Sequence, residues 1–268
     1  MSVSERLLSP YHDGTSAVHR SDAAIKLALT LAYVLAVNAT PVRAWPIHLG
    51  YAVLGTAVIA LARLPLERVL RRALLAAPFV LMAVLGAPFV REGRPILTLP
   101  LLDGRLVLTD VGLSRLANVA VKSWLSLCAV VTLTLTTPFL EIVRASQRLG
   151  LPTVLSATIL LMYRYLFVLA DEAQRLMRAR DARTGEAPAG SRGASLFWRA
   201  TITGRLIGTL FLRTVERGER IYQAMLARGY DGAIRSLTAE PVGWRAISGS
   251  IALALLLVVL TLFANLHW

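Results

Sequence analysis

Apolar residues fall in long runs broken by arginine-bearing turns, and several runs approach the ~20 residues that cross a hydrocarbon core as a helix. A first span is expected from Ala23 to Thr40, capped by Asp22, with Ser21 as the competing cap. The short turn Pro41 to Pro46 leads into a second span from Ile47 to about Ala62. A third runs from Ala73 to Val90, where Pro78 and Pro88 predict kinks that protein neighbours can satisfy. A fourth covers Ala117 to Thr137, with Lys122 placed to snorkel near its outer end. The cleanest is the last, Trp244 to Leu266, which as a helix rises about 34 Å. Trp244 and Trp268 flank it as interfacial anchors.

The segments between these runs carry the orientation signal. Arg63, Arg68, Arg71 and Arg72 mark one loop as cytoplasmic under the positive-inside rule. In the polar stretch Arg91 to Ser114, Asp103-Gly104 lies between two apolar runs and predicts a β-hairpin on the far side. Arg91, Arg94, Arg105 and Arg115 argue mildly against that side. Five crossings then put the N-terminus in the cytoplasm and the C-terminus outside.

From Pro138 to Gly243 the pattern changes to arginine-rich and amphipathic. Val154 to Ala170 is apolar, but Arg164 lies inside it, and a charge at mid-bilayer is costly. The expectation is therefore amphipathic helices packed below the membrane. Two long helical patterns, Leu161 to Arg183 and Gly208 to Arg228, are joined by a flexible connector from Thr184 to Ala194. Asp171–Arg175 and Glu216–Arg220 are i, i+4 pairs of the helpful polarity. Three parts result: 1–137, a cytoplasmic lead-in with spans one to four; 138–243, a cytoplasmic helical module; and 244–268, the last span.

Both helical patterns end near an Ala-Arg pair. Gly229 is where the second should stop, since glycine takes the left-handed conformation at little cost. Arg228 then sits at the negative end of the helix dipole as a forked cation, suited to a partner's carboxylate. One such end reads as an ordinary basic cap; two in tandem point to docking.

The composition fits a membrane protein: 56% of residues are hydrophobic, and mean hydropathy is +0.60. A net charge of +13 raises nucleic acid as a partner, but 27 of the 29 basic residues are arginines placed in loops and one central block. No nucleic acid is expected. The single cysteine, Cys128, excludes a disulfide framework and a thiolate metal cluster. The only lysines, Lys26 and Lys122, follow Ile25 and Val121, so no Gly-Lys-[Ser/Thr] phosphate loop exists. His12, His19, His48 and His267 are scattered, with His48 read as interfacial. Gly204 and Gly208 have helix-approach spacing but read as ordinary packing. Met162, Met177 and Met225 read as core filler. No catalytic apparatus, metal site or cofactor is expected.

Several stretches carry a family resemblance. Val18-His-Arg-Ser-Asp-Ala-Ala-Ile-Lys-Leu27, Thr137-Pro-Phe-Leu-Glu through Gly150-Leu-Pro152, and Tyr163-Arg-Tyr-Leu-Phe-Val-Leu-Ala-Asp-Glu-Ala173 resemble the transmembrane T component of energy-coupling factor transporters, CbiQ-type. Ser21 and Ala23-Ala24 depart from the family's first motif. The resemblance implies an all-α membrane protein with about five transmembrane helices and a cytoplasmic module of three amphipathic coupling helices. It implies a bacterial inner-membrane subunit, itself non-catalytic, that links two CbiO-like ATPases to a CbiM-like substrate-binding membrane subunit, with a CbiN-like small subunit as a further partner. The cargo implied is cobalt.

The family ends its second and third coupling helices in Ala-Arg-Gly signatures that dock the ATPases. Here the later one is intact at Ala227-Arg228-Gly229. The earlier is imperfect, and both Ala179-Arg180-Asp181 and Ala182-Arg183-Thr184 are candidates. Alternatives are a T component for nickel or for vitamin-binding subunits, a membrane-embedded enzyme or channel, and a basic block that only binds anionic membrane lipid.

Overall fold

A computed structural model of the protein describes residues 14, 16–41, 44–84, 95–101, 104–184, 196–232 and 244–267. Its helices are α1 (Ala17–Arg20), α2 (Ala23–Ala39), α3 (Trp45–Leu61), α4 (Leu66–Val84), α5 (Asp110–Thr136), α6 (Phe139–Arg148), α7 (Thr153–Thr184), α8 (Leu196–Ala227) and α9 (Trp244–His267). Between α4 and α5 lies a hairpin of β1 (Pro95–Leu101) and β2 (Gly104–Thr109). The architecture is that of an all-α membrane protein with this one added hairpin.

Helix starts follow local chemistry. Asp22 caps α2, its Oδ1 accepting from the Ala24 amide at 2.7 Å. Ser21 is not the cap; its hydroxyl donates to the Val18 carbonyl at 2.8 Å, closing the short α1. Four residues are too few to show a period, so α1 leaves no trace in the apolar pattern.

Two spans begin earlier than expected. α4 starts at Leu66, just after Pro65, with Glu67 in its first turn where an anion suits the helix dipole. Arg68, Arg71 and Arg72 therefore ride on the helix instead of a loop. α5 starts at Asp110, not Ala117, because Thr109 caps it by accepting from the Gly112 amide at 3.1 Å. Arg115 is thus helical. Pro78 lies inside α4, whereas Pro88 and the end of the expected third span lie outside the described residues. α3 opens at Trp45 with Pro46 at its first turn, where a missing amide costs nothing. The hairpin pairs Leu101 with Gly104, so Gly104 belongs to β2, while Asp103 lies outside the described residues.

The chain forms two compact units. Of the described residues, those up to 149 and 244–267 form one, and 150–184 with 196–232 form the other. Within the first, Tyr33, Val37, Tyr51, Leu257 and Ala264 from α2, α3 and α9 form one core. Lipid tails are as apolar as leucine, so close packing and hydrogen bonds rather than water exclusion hold helices together there. The contacts fit that rule. Ala36, Ala44 and Ala264 are buried small residues. The Tyr33 hydroxyl donates to the Tyr51 carbonyl at 2.9 Å, and the two rings meet edge to face at 5.8 Å. A second cluster joins Ile59, Ala62, Leu64 and Val69 of the α3–α4 corner to Leu135 of α5.

Two sequence expectations change here. His48 is 3% exposed, not interfacial; Nδ1 donates to the Ala44 carbonyl at 2.9 Å one turn back. Met162 and Met177 are exposed, and so cover no core. Gly204 and Gly208, as expected, mark no close helix approach: nothing lies near either one.

Both lysines bond the other helix's end. Lys26 of α2 donates to the Thr136 carbonyl of α5 at 3.2 Å. Lys122 of α5 donates to the Asn38 carbonyl at 3.0 Å and to the Thr40 carbonyl, both at the end of α2. These bonds make α2 and α5 antiparallel and satisfy carbonyls that a helix terminus leaves without partners. Lys122 is thus a cap for a neighbouring helix, not a snorkelling side chain.

α6 belongs to this unit, not to that of α7 and α8. It packs along α2, and Arg148 at its C-terminal end reaches Asp22 Oδ2 at 2.7 Å.

By length and composition, Val111–Thr136 and Thr153–Ala182 are apolar enough to cross a membrane, while Ala23–Ala39, Trp45–Leu61 and Ala252–Ala264 are shorter apolar helices.

Candidate functional site

The second unit is built on α7 and α8, each 32 residues long and so about 48 Å of rod. Leucine and arginine, both strong helix formers, are prominent in each. An ion pair ties the rods: Arg213 Nη1 of α8 lies 2.6 Å from Glu172 Oε1 of α7. The expected i, i+4 pairs Asp171–Arg175 and Glu216–Arg220 do not close. Glu172, one residue along from Asp171, is turned to the neighbouring helix instead.

The end of α8 follows the glycine rule. Gly229 has φ +80°, the left-handed region. The Gly229 amide donates to the Leu226 carbonyl at 3.0 Å, and the Tyr230 amide reaches back to the Met225 carbonyl at 3.0 Å. Those two bonds are the Schellman termination. It leaves Ala227 as the last helical residue and Arg228 as the cap, both exposed. Among the described residues Arg228 makes no ion pair.

The first Ala-Arg region is different. α7 runs through Thr184, so Ala179, Arg180, Ala182 and Arg183 are all helical. Arg180 Nε and Nη2 both donate to Asp181 Oδ1, at 3.0 and 2.8 Å. Its fork is thus occupied by the next residue. Ala179 and Ala182 are exposed, and Arg183 is one residue from the last helical position. Gly185, the glycine that could end this helix, lies outside the described residues.

Both rods keep bare apolar positions: Met162 and Leu166 on α7, Ile207, Phe211 and Leu212 on α8. Arg164 lies 6.0 Å from the centroid of the Tyr165 ring and is exposed. Among the described residues no group of three or more His, Cys, Asp or Glu side chains could hold a metal ion. The arrangement offers an exposed arginine at the end of α8 and exposed apolar positions on both rods.

Comparison with known proteins decides the family. The CbiQ pattern, described as cobalt transport protein, matches residues 14–240. The chain belongs to the CbiQ family. It is 27% identical over 170 residues to the cobalt transport protein CbiQ of Rhodobacter capsulatus, covering 63% of this chain and 67% of that one. With the energy-coupling factor transporter transmembrane protein EcfT of Exiguobacterium sibiricum it shares 30% over 267 residues, 92% of this chain and 95% of the relative. A putative fused cobalt transport protein CbiMQ of Methanocorpusculum labreanum is 31% identical over 129 residues, which are 47% of this chain and 20% of that longer one. This CbiQ-family chain is a transmembrane T component of the energy-coupling factor type.

Two motifs quoted from the sequence meet in space. The N-terminal stretch around Asp22 and the stretch around Arg148 are joined by their ion pair. Sequence reasoning missed this pair, both lysine bonds and Glu172–Arg213, because each partner lies dozens of positions away.

Proposed function

We propose that this T component couples two cytoplasmic ATPase subunits to a separate substrate-binding membrane subunit, with cobalt as cargo. Arg228 and one arginine of α7 dock on the ATPases. The observation that carries this reading is the Schellman-terminated α8, which presents an exposed Arg228 without a counter-charge among the described residues. A guanidinium held on a rigid helix end is pre-organised for bidentate contact with a carboxylate, and the ordering cost falls accordingly. For α7, the Asp181 contact on Arg180 supports Arg183 as the docking residue.

The names of the relatives support the cargo and the membrane partner: cobalt transport for two of them, and a fusion of the CbiM and CbiQ parts in one. Residues 150–239 are assigned to the cytoplasmic side: Thr153–Ala182 is apolar enough to cross, but Arg164 inside it makes a crossing costly. Closing of the ATPases on nucleotide would alter the α7–α8 arrangement and reshape the membrane partner, a two-state relay that needs different contacts in each state. No catalytic step is assigned to this chain.

The test is affinity capture of the tagged chain from membranes in which ATPase subunits of this transporter type are co-expressed. Arg228→Glu should insert normally but lose the ATPases. Normal ATPase recovery on that variant overturns the docking assignment.

A further inference from the structure

A groove of about 1010 Å³ opens in the first unit, between α2, α3, α4 and α5 with α9 at its inner end. That volume is at the upper limit of the ~300–1,000 Å³ typical of small-molecule pockets. Its walls are apolar almost throughout. Tyr33, Trp124, Cys128 and Leu257 line its deep part. At one end stand Arg20 and Lys26, the charged side chains among the described lining residues; Asp22 and Glu141 lie near enough to act on the Lys26 charge but do not line the groove. The site thus has a cationic mouth and a hydrocarbon interior.

Its depth is set by the helices. Along α5 the lining runs from Thr136 at the mouth to Trp124, about 18 Å at 1.5 Å per residue. One leaflet of a ~30 Å hydrocarbon core is about 15 Å deep. The cationic end coincides with the ends of α2 and α5, where headgroups lie, and the apolar part reaches toward the bilayer centre. Lys26 is buried and gives one bond to the Thr136 carbonyl, which leaves its amine further donors. Arg20 is exposed at the rim. Arg63 and Arg71, exposed at the nearby α3–α4 corner and on α4, add to the positive field.

We propose that this groove holds one anionic phospholipid, its acyl chain along α5 and its phosphate at Arg20 and Lys26. A neutral lipid would fill the apolar part as well but would gain nothing at the mouth. Preference for the anionic headgroup is the distinguishing property, and it is independent of whether the arginines of α7 and α8 dock ATPases.

The experiment uses the purified full chain, stripped of lipid in detergent and titrated with phosphatidylglycerol or phosphatidylcholine of the same acyl chains. Native mass spectrometry reads adducts, and alkylation of Cys128, the chain's single cysteine, reads filling of the groove. Phosphatidylglycerol should bind about fivefold or more tightly per engaged cation, and should slow the alkylation. Arg20→Gln should lose about fivefold for phosphatidylglycerol and nothing for phosphatidylcholine, while Arg20→Lys keeps the preference. An unchanged thermal midpoint certifies that Arg20→Gln is folded. Equal binding of the two lipids, an Arg20→Gln variant with undiminished preference, or Cys128 alkylation indifferent to phosphatidylglycerol overturns the proposal. Protection of Cys128 by a co-purified protein subunit in place of lipid overturns it too.

Discussion

Lys26 Nζ lies 3.2 Å from the carbonyl oxygen of Thr136, on the last turn of a helix that runs antiparallel to its own. Lys122 returns the favour at the opposite end, bonding the Asn38 and Thr40 carbonyls. A chain whose other basic residues are all arginine thus spends both lysines on helix ends. A compact ammonium with three donors suits single carbonyls better than a planar fork does. Lys26→Met should cost about 1–3 kcal/mol, since it leaves a buried acceptor unsatisfied. At this chain length that is a fall of roughly 2–4 °C in Tm per kcal/mol. The two lysines are 14 residues apart along α5 in effect, about 21 Å, so Lys26→Met and Lys122→Met should add within ~0.5 kcal/mol. Thermal melts in detergent of the two single variants and the double variant check both statements.

Asp22 holds two positions at once. It caps α2 through the Ala24 amide and pairs with Arg148 of α6. The carboxylate is largely buried whereas Arg148 is half exposed. A cap is worth about 0.5–2 kcal/mol and an exposed ion pair about 0.2–1. Asp22→Ala should therefore destabilise more than Arg148→Ala. A double-mutant cycle should return a coupling below about 1 kcal/mol. A cycle in which Arg148→Ala matches Asp22→Ala would show that the ion pair, not the cap, dominates.

Glu172 and Arg213 join α7 to α8 across exposed surface, so their weight in stability is small, about 0.2–1 kcal/mol. Their effect on transport should be larger if the two rods move as one relay. Glu172→Arg and Arg213→Glu should each depress ion uptake in cells, and the swapped pair should restore part of it. Uptake that ignores all three variants would place the relay elsewhere.

Gly229→Ala forces a side chain into the left-handed region at φ +80°. The cost is roughly 1–2 kcal/mol, and asparagine should cost less than alanine. Hydrogen exchange at the Tyr230 amide should accelerate in Gly229→Ala, because its bond to the Met225 carbonyl defines the termination. ATPase capture should weaken less than in Arg228→Glu, since the charge survives and only its placement loosens.

Features with a local cause were legible in the sequence. The Asp22 cap, the Gly229 stop, the hairpin near Gly104 and the long apolar helices each depend on residues within one or two turns. The Ala227-Arg228-Gly229 end could be placed for the same reason. Boundaries failed where a cap outside the apolar run set the start. Thr109 begins α5 well before its apolar stretch, and Leu66 begins α4 inside an arginine-rich segment. What periodicity cannot carry is pairing at a distance. Asp171 and Arg175 share a helix face yet stay apart, while Glu172 finds Arg213 on another helix. The same limit hid the lysine bonds, the grouping of α6 with α2, and the interior position of His48.

The central claim is that the cationic tips of α7 and α8 contact ATPases on one side of the membrane. Photo-cross-linking from a photoreactive residue placed at position 228, and in a parallel strain at position 183, reads that contact in native membranes with co-expressed ATPase subunits present. The account predicts an ATPase adduct from both positions, each formed on the cytoplasmic side. Absence of ATPase from both adducts, or labelling of the two positions from opposite sides of the membrane, would contradict it.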